Sequence, residues 1–106
     1  MGNPWEGEVA VRLNGERHVM RLTLGALAEL EAGMEADSLL ALVERFEAGS
    51  FSTRDVLALI VAGLRGGGWS GDARDLLTAE IGGGPPEAAR LAGQLLVRAF
   101  AMPDEA

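Results

Sequence analysis

The segment Val56–Leu64 constrains the fold of this chain most strongly, because apolar residues would cover almost every side of it as a helix. Ser52 and Asp55 precede it at the spacing of a capping box, and Phe51 supplies the apolar residue that a hydrophobic staple places before the cap. A helix this apolar is normally the buried centre of a bundle. The sequence therefore predicts a central helix at about residues 53–65, with the other elements packed around it.

Apolar and polar residues alternate on both sides of Asn14-Gly15, the dipeptide that best tolerates the positive φ angles of a type I′ turn. This pattern predicts a β-hairpin over about residues 7–22. A two-residue turn would pair Val9 with Met20, Val11 with His18, Glu8 with Arg21 and, unfavourably, Arg12 with Arg17, so the register stays open. An isolated hairpin is marginally stable in water, so we expect this one to pack on the helices that follow.

Four further segments show helical spacing of apolar residues between glycine-rich breaks. They cover about residues 24–33, 38–48, 72–81 and 86–102. We interpret Gly66–Gly71 as a flexible connection between helices. The predicted fold is mainly α, with an N-terminal β-hairpin packed on a bundle of about five short helices (an α+β fold) in a single domain over residues 1–106.

The composition argues against most kinds of chemistry. The chain has no cysteine, no lysine and one histidine, and its formal net charge is −7. Disulfides, zinc sites with cysteine ligands and a Walker A loop are therefore excluded. An acidic chain repels nucleic-acid backbones. We predict no catalytic residue, no metal ligand and no cofactor.

The remaining candidates for catalysis are His18 and three pairs of carboxylates close together in the sequence, Glu29/Glu31, Asp72/Asp75 and Asp104/Glu105. We interpret His18 as a half-buried strand residue, since a metal site or a catalytic triad would need further partners that the chain lacks. Asp72 and Asp75 fit a helix N-terminus, where negative charge is stabilised.

No stretch approaches the roughly 18–20 apolar residues that a membrane-spanning helix needs. The first residues, Met1–Glu6, lack the basic region and apolar core of a signal peptide. We therefore expect no membrane association and a cytoplasmic location.

Several segments resemble a small protein encoded in the tail-gene cluster of the gene transfer agents of alphaproteobacteria, which are phage-like particles that carry host DNA. The resemblance extends over nearly the whole chain and is clearest in Asn3–Val9, Leu22–Glu31, Ser38–Phe46, Ala62–Trp69 and Ala79–Gly84. The family is described both as a phage tail tube protein and as a tail assembly chaperone. Because the predicted strands are too few for the ring of β-sheets that tail tubes build, the chaperone is the better fit.

The resemblance implies that the protein keeps the helical, aggregation-prone tape measure protein soluble while tail tube subunits assemble around it, so its expected partners are the tape measure protein and the tail tube protein. The alternative is a structural component retained in the finished tail, and an enzyme ranks last. The oligomeric state stays open.

Five residues are candidates for partner binding, because aromatic, methionine and arginine side chains are frequent anchors at interfaces. They are Phe51, Arg65, Trp69, Phe100 and Met102. Trp69 lies among glycines and could equally close the core or face a partner, and the same ambiguity applies to Trp5. Arg65 could cap the central helix or contact an acidic partner.

Overall fold

The computed structural model describes residues 8–33 and 38–100. Two strands are followed by five helices, which confirms the predicted fold class. The elements are β1 (Glu8–Leu13), β2 (Glu16–Arg21), α1 (Leu24–Ala32), α2 (Leu39–Ala48), α3 (Thr53–Gly66), α4 (Ala73–Leu77) and α5 (Gly84–Phe100).

The hairpin β1–β2 turns at Asn14 (φ 51°) and Gly15 (φ 86°), the two positive φ angles that a type I′ turn requires. All the pairs expected from a two-residue turn are present, including the like-charged pair Arg12–Arg17. One face of the sheet is apolar and buried, and it packs on α3 and α5. The predicted hairpin is confirmed, and its register, which the sequence left open, is the one that a two-residue turn gives.

Helix α3 lies at the centre of the core, where Leu59 and Leu64 have no exposed surface and Ile60 is 1% exposed. It contacts β2, α1, α4 and α5. Its N-terminus is closed by the expected capping box between Ser52 and Asp55. Apolar residues cover nearly every side of α3 because this helix is buried at the centre of the core, as the sequence indicated.

The last turn of α3 lies so close to β2 that side chains would not fit between them. A Cβ atom on Gly66 would lie 1.9 Å from the carbonyl oxygen of Arg21, and one on Gly67 would lie 2.0 Å from that of Val19. One turn earlier, a Cβ on Gly63 would lie 2.8 Å from a methyl carbon of Leu95. Gly66 belongs to the helix itself, so the part of the glycine run that we interpreted as a flexible connection starts one residue later than expected.

The fourth predicted helix, at residues 72–81, is wrong in its second half, because α4 ends at Leu77. Beyond it, Ile81 forms an antiparallel bridge with Leu13 of β1. Asn14 and Glu80 exchange two hydrogen bonds: the Asn14 N–H donates to the Glu80 carbonyl at 2.8 Å, and the Glu80 N–H donates to Asn14 Oδ1 at 2.9 Å. The hairpin thus holds in a single β-bridge a segment whose local pattern suggested helix.

Helix α5 begins at Gly84, two residues before the predicted start at Pro86. Its predicted end at residue 102 lies outside the described residues, as does Pro103. Helix α5 buries one face against α3 and β1, with Leu91, Ala92 and Leu95 at most 5% exposed.

Candidate partner-binding surfaces

The structure separates the candidate binding residues into two groups at opposite ends of α3. Phe51 lies just before the first turn of this helix, whereas Arg65 and Trp69 lie at its other end. A 14-residue helix is about 21 Å long. Phe100 lies at the end of α5, and Met102 lies outside the described residues.

At the N-terminal end of α3, Phe51 stacks on Phe46 of α2, with ring centroids 4.4 Å apart and planes 8° from parallel. Both rings are half-buried, and the Phe46 ring packs against the core. Phe46 also lies against α5, since a Cβ atom on Gly93 would be 3.8 Å from its ring. The pair therefore joins α2, α3 and α5.

The same flank of α5 continues beyond this aromatic pair. Gly93, Val97 and Phe100 are spaced four and three residues apart, which places them on one face of the helix. Val97 is 70% exposed and Phe100 is 45% exposed. We call the group Phe46, Phe51, Gly93, Val97 and Phe100 the aromatic surface; it runs from the half-buried stacked pair to exposed apolar side chains.

A fork-shaped ion pair fixes the position of the aromatic pair. Arg45 of α2 donates from Nε and Nη2 to the two carboxylate oxygens of Asp55, each at 2.9 Å. The hydrogen bond from Arg45 lowers the pKa of Asp55 below its usual range, although partial burial opposes the shift. Asp55 also accepts from the Ser52 N–H at 2.9 Å, so one carboxylate both caps α3 and holds α2 against it.

At the other end, the backbone ends α3 in a Schellman motif that determines where Trp69 lies. Gly68 adopts φ 107°, its N–H donates to the Arg65 carbonyl at 3.1 Å, and the Trp69 N–H donates to the Leu64 carbonyl at 2.9 Å. The indole is half-buried against the core and covers Gly71, where a Cβ would lie 2.3 Å from the ring. Its indole N–H has no acceptor among the described residues.

Arg65 ties this end of α3 to α1 and to the following loop. Its guanidinium donates to the Glu29 carboxylate at 2.9 and 3.2 Å and to the Gly71 carbonyl at 3.0 Å. The pairing lowers the pKa of Glu29 and raises that of Arg65. Both side chains are exposed, so this ion pair contributes little stability and mainly orients the loop.

A groove of about 420 Å³ lies beside this ion pair, between the start of α1 and the end of α3. We call it the tryptophan groove. It is lined by Thr23, Gly25, Ala26, Glu29, Arg65, Gly66, Trp69 and Ser70. Trp69 therefore packs on the core and also lines an open groove, and its contact with a partner stays a prediction.

Phe46, Val97 and Glu29 are among the residues of these surfaces that were not singled out from the sequence. Phe46 and Val97 look like ordinary members of amphipathic helices, and Glu29 looks like a solvated carboxylate. Their roles depend on contacts across the fold: Phe46 meets Phe51 and α5, and Glu29 meets an arginine 36 residues away. The one signal in the local sequence was the four-residue spacing of Gly93 and Val97, which places both on the same face of a helix.

The described part of the chain offers little for acid–base or metal chemistry. His18 is half-buried, and its Nε2 lies 3.7 Å from Glu16 Oε1. Residues 8–33 and 38–100 contain no group of three potential metal ligands and no helix long and apolar enough to cross a membrane. The pKa values of Glu29, Asp55 and Glu87 are lowered by arginine partners, whereas a general acid needs a raised pKa.

The fold and its surfaces define a small α+β domain whose candidate sites are a partly exposed aromatic surface and an open groove beside Trp69. A sequence model of the family described as phage tail tube protein, GTA-gp10, matches residues 6–102, and the chain belongs to this family. The resemblance to a gene transfer agent tail family is thereby confirmed, and this family is a structural one. No curated protein matches the chain. No solved structure matches it either.

Proposed function

We propose that this protein acts without catalysis in tail assembly of a phage-like gene transfer agent, as a chaperone that holds helical segments of the tape measure protein soluble in the cytoplasm of the producing cell. The aromatic surface carries this proposal. Its exposed residues, Val97 and Phe100, continue an apolar flank whose inner end is closed by the Phe46–Phe51 stack.

The dimensions of the surface suit a helical partner. Gly93 and Phe100 are seven residues apart, so their positions lie about 10.5 Å apart along α5. An amphipathic helix presents apolar anchors at positions i, i+3, i+4 and i+7, which cover the same length. Two helical faces of this size can therefore cover each other without rearrangement of the core.

Charge favours a basic partner helix. The chain has a formal net charge of −7, and Glu44 and Glu47 are exposed on α2 on either side of Phe46 in the sequence. Neither carboxylate has an ion-pair partner within residues 8–33 and 38–100. Lysine or arginine flanking the apolar stripe of a partner would meet these carboxylates and accelerate association.

The small size of the sheet favours the function of a chaperone over that of a tube subunit. A tube wall needs sheets whose edges are closed by further strands. In the described residues the sheet has two strands, and the outer edge of β2 lies against the glycines that end α3. A structural component of the finished tail is the second candidate, and the family's own description favours it.

Co-expression with the tape measure protein tests the chaperone. We expect a soluble complex with the unaltered chain and loss of tape measure solubility with Val97→Ser/Phe100→Ser. Leu24→Ser/Leu77→Ser is the matched control, because these leucines are 85% and 70% exposed but lie on other helices. A tape measure protein that is equally soluble without this chain would contradict the proposal.

Mass spectrometry of purified particles separates the two candidates. A chaperone is expected to be absent or far below the copy number of the tube subunit. A structural component would be present in a fixed ratio to it, and that result would favour the second candidate.

A further inference from the structure

The outer edge of β1 is open in the middle. A two-residue turn makes Leu13–Glu16 a hydrogen-bonded pair, so the backbone groups of Leu13, Val11 and Val9 point toward β2. The N–H and C=O groups of the alternate residues, Glu8, Ala10 and Arg12, therefore point away from β2. Ala10 is exposed, and its backbone has no partner among the described residues.

One end of this edge already accepts a strand-like segment. The Gly82 N–H donates to the Arg12 carbonyl at 3.0 Å, next to the antiparallel bridge between Ile81 and Leu13. The chain then turns away at Gly83 (φ 86°) and Gly84 (φ 75°) into α5. The strand-like segment beside β1 thus ends before it reaches Ala10.

A groove of about 280 Å³ runs beside the open edge. The buried side chains of Val11 and Leu91 supply its apolar part, and Arg12 and Arg17 supply its positive charge. Glu87 also lines it, but its carboxylate is held by the guanidinium of Arg90. The groove can therefore receive alternate side chains of an added strand.

The two arginines of the groove are opposed across the hairpin without compensation. Arg12 and Arg17 face each other in a non-hydrogen-bonded pair, where side chains are closest and like charges repel. Neither has a carboxylate partner in residues 8–33 and 38–100. Within the described residues, the Arg12 guanidinium donates only a long hydrogen bond, of 3.4 Å, to the Gly15 carbonyl. A carboxylate bound between them would relieve the repulsion.

The geometry points to strand addition: an extended, acidic segment of another protein pairs with β1 at Ala10, continues the line of Ile81–Gly82, and places a carboxylate between Arg12 and Arg17. This site is independent of the tape measure proposal, since it lies on the hairpin and not on the aromatic surface. If an experiment contradicts one of the two proposals, the other is unaffected.

The probe is a blocked heptapeptide of alternating valine and threonine with a central aspartate, titrated into the full-length isotope-labelled chain. We expect the Ala10 amide to shift and its hydrogen exchange to slow. A matched peptide in which asparagine replaces the central aspartate should bind about tenfold more weakly, the equivalent of about 1.4 kcal/mol. N-methylation of the peptide amides that face β1 should abolish binding, whereas N-methylation of the alternate amides should not.

Arg12→Gln/Arg17→Gln should weaken binding of the aspartate peptide by about tenfold or more and leave the asparagine peptide unchanged. Arg54→Gln/Arg74→Gln is the control, because it removes the same charge from exposed helical sites. Equal losses in both variants, or equal effects of both N-methylated peptides, would overturn the inference in favour of nonspecific attraction. Protection of the Ala10 amide in the free chain would overturn it in favour of the chain's own termini or a second copy.

Discussion

Contacts with distant residues require glycine at particular positions of α3, and no local sequence pattern reveals these contacts. We expect Gly66→Ala to destabilise the protein by about 1–3 kcal/mol or more, because its Cβ would meet the backbone oxygen of Arg21 at 1.9 Å and a backbone cannot yield as a side chain can. Gly25→Ala is the control: its Cβ would have nothing nearer than Thr23 Oγ1 at 3.9 Å. That variant should gain roughly 0.4–1 kcal/mol in urea unfolding. Equal effects of the two substitutions would argue against the close approach of β2.

Trp69 can be tested for its two roles separately. Trp69→Ala should lower the free energy of unfolding by roughly 1–3 kcal/mol, less than the 3–5 kcal/mol typical of a fully buried aromatic residue, because the ring is half-buried. Trp69→Phe should recover part of the loss. Tape measure binding by the folded Trp69→Phe variant then reports on the groove: unchanged binding assigns the indole to the core, and lost binding would add the tryptophan groove to the partner surface.

At the scale of elements, the hairpin turn is expected to hold the segment after α4 in place. Asn14→Gly keeps the positive φ angle but removes the Oδ1 acceptor of the Glu80 N–H. Hydrogen exchange at Glu80 should accelerate about fivefold, the equivalent of roughly 1 kcal/mol for one lost hydrogen bond. Asn14→Asp retains an acceptor and should keep the protection. Unchanged exchange in Asn14→Gly would mean that the backbone pairing alone holds this segment.

Helices and strands could be predicted from the sequence wherever a local pattern of residues determines them. Alternation and Asn14-Gly15 predicted the hairpin but left its register open, and apolar spacing predicted five helices. The bridge of Ile81 to Leu13 was missed because its partner lies 68 residues away and residues 76–81 retain helical spacing. The glycines at the end of α3 were interpreted as a loop because glycine disfavours helices, whereas here they admit a neighbouring strand.

The candidate surfaces were predictable only in part, for the same reason. Phe51, Trp69 and Phe100 stood out by residue type. Their division into an aromatic surface and a tryptophan groove depends on how α2 and α1 pack against α3, which is a property of the whole fold. The ion pairs Arg45–Asp55 and Arg65–Glu29 that fix these packings join residues 10 and 36 positions apart.

For the whole molecule, the arginine–carboxylate pairs predict how stability depends on pH. The folded-state pKa of Asp55 is lowered by Arg45, so this pair contributes its full stability above the unfolded-state pKa of about 3.9 and loses it as pH falls through the folded-state value. The difference in unfolding free energy between the unaltered chain and Asp55→Asn should therefore be largest near neutral pH and shrink below about pH 4. Glu29→Gln is the control, since removing the exposed ion pair of Glu29 with Arg65 should give a smaller difference in unfolding free energy. Urea unfolding at a series of pH values measures both, and a difference for Asp55→Asn that stays constant down to acid pH would contradict the assigned ion pair.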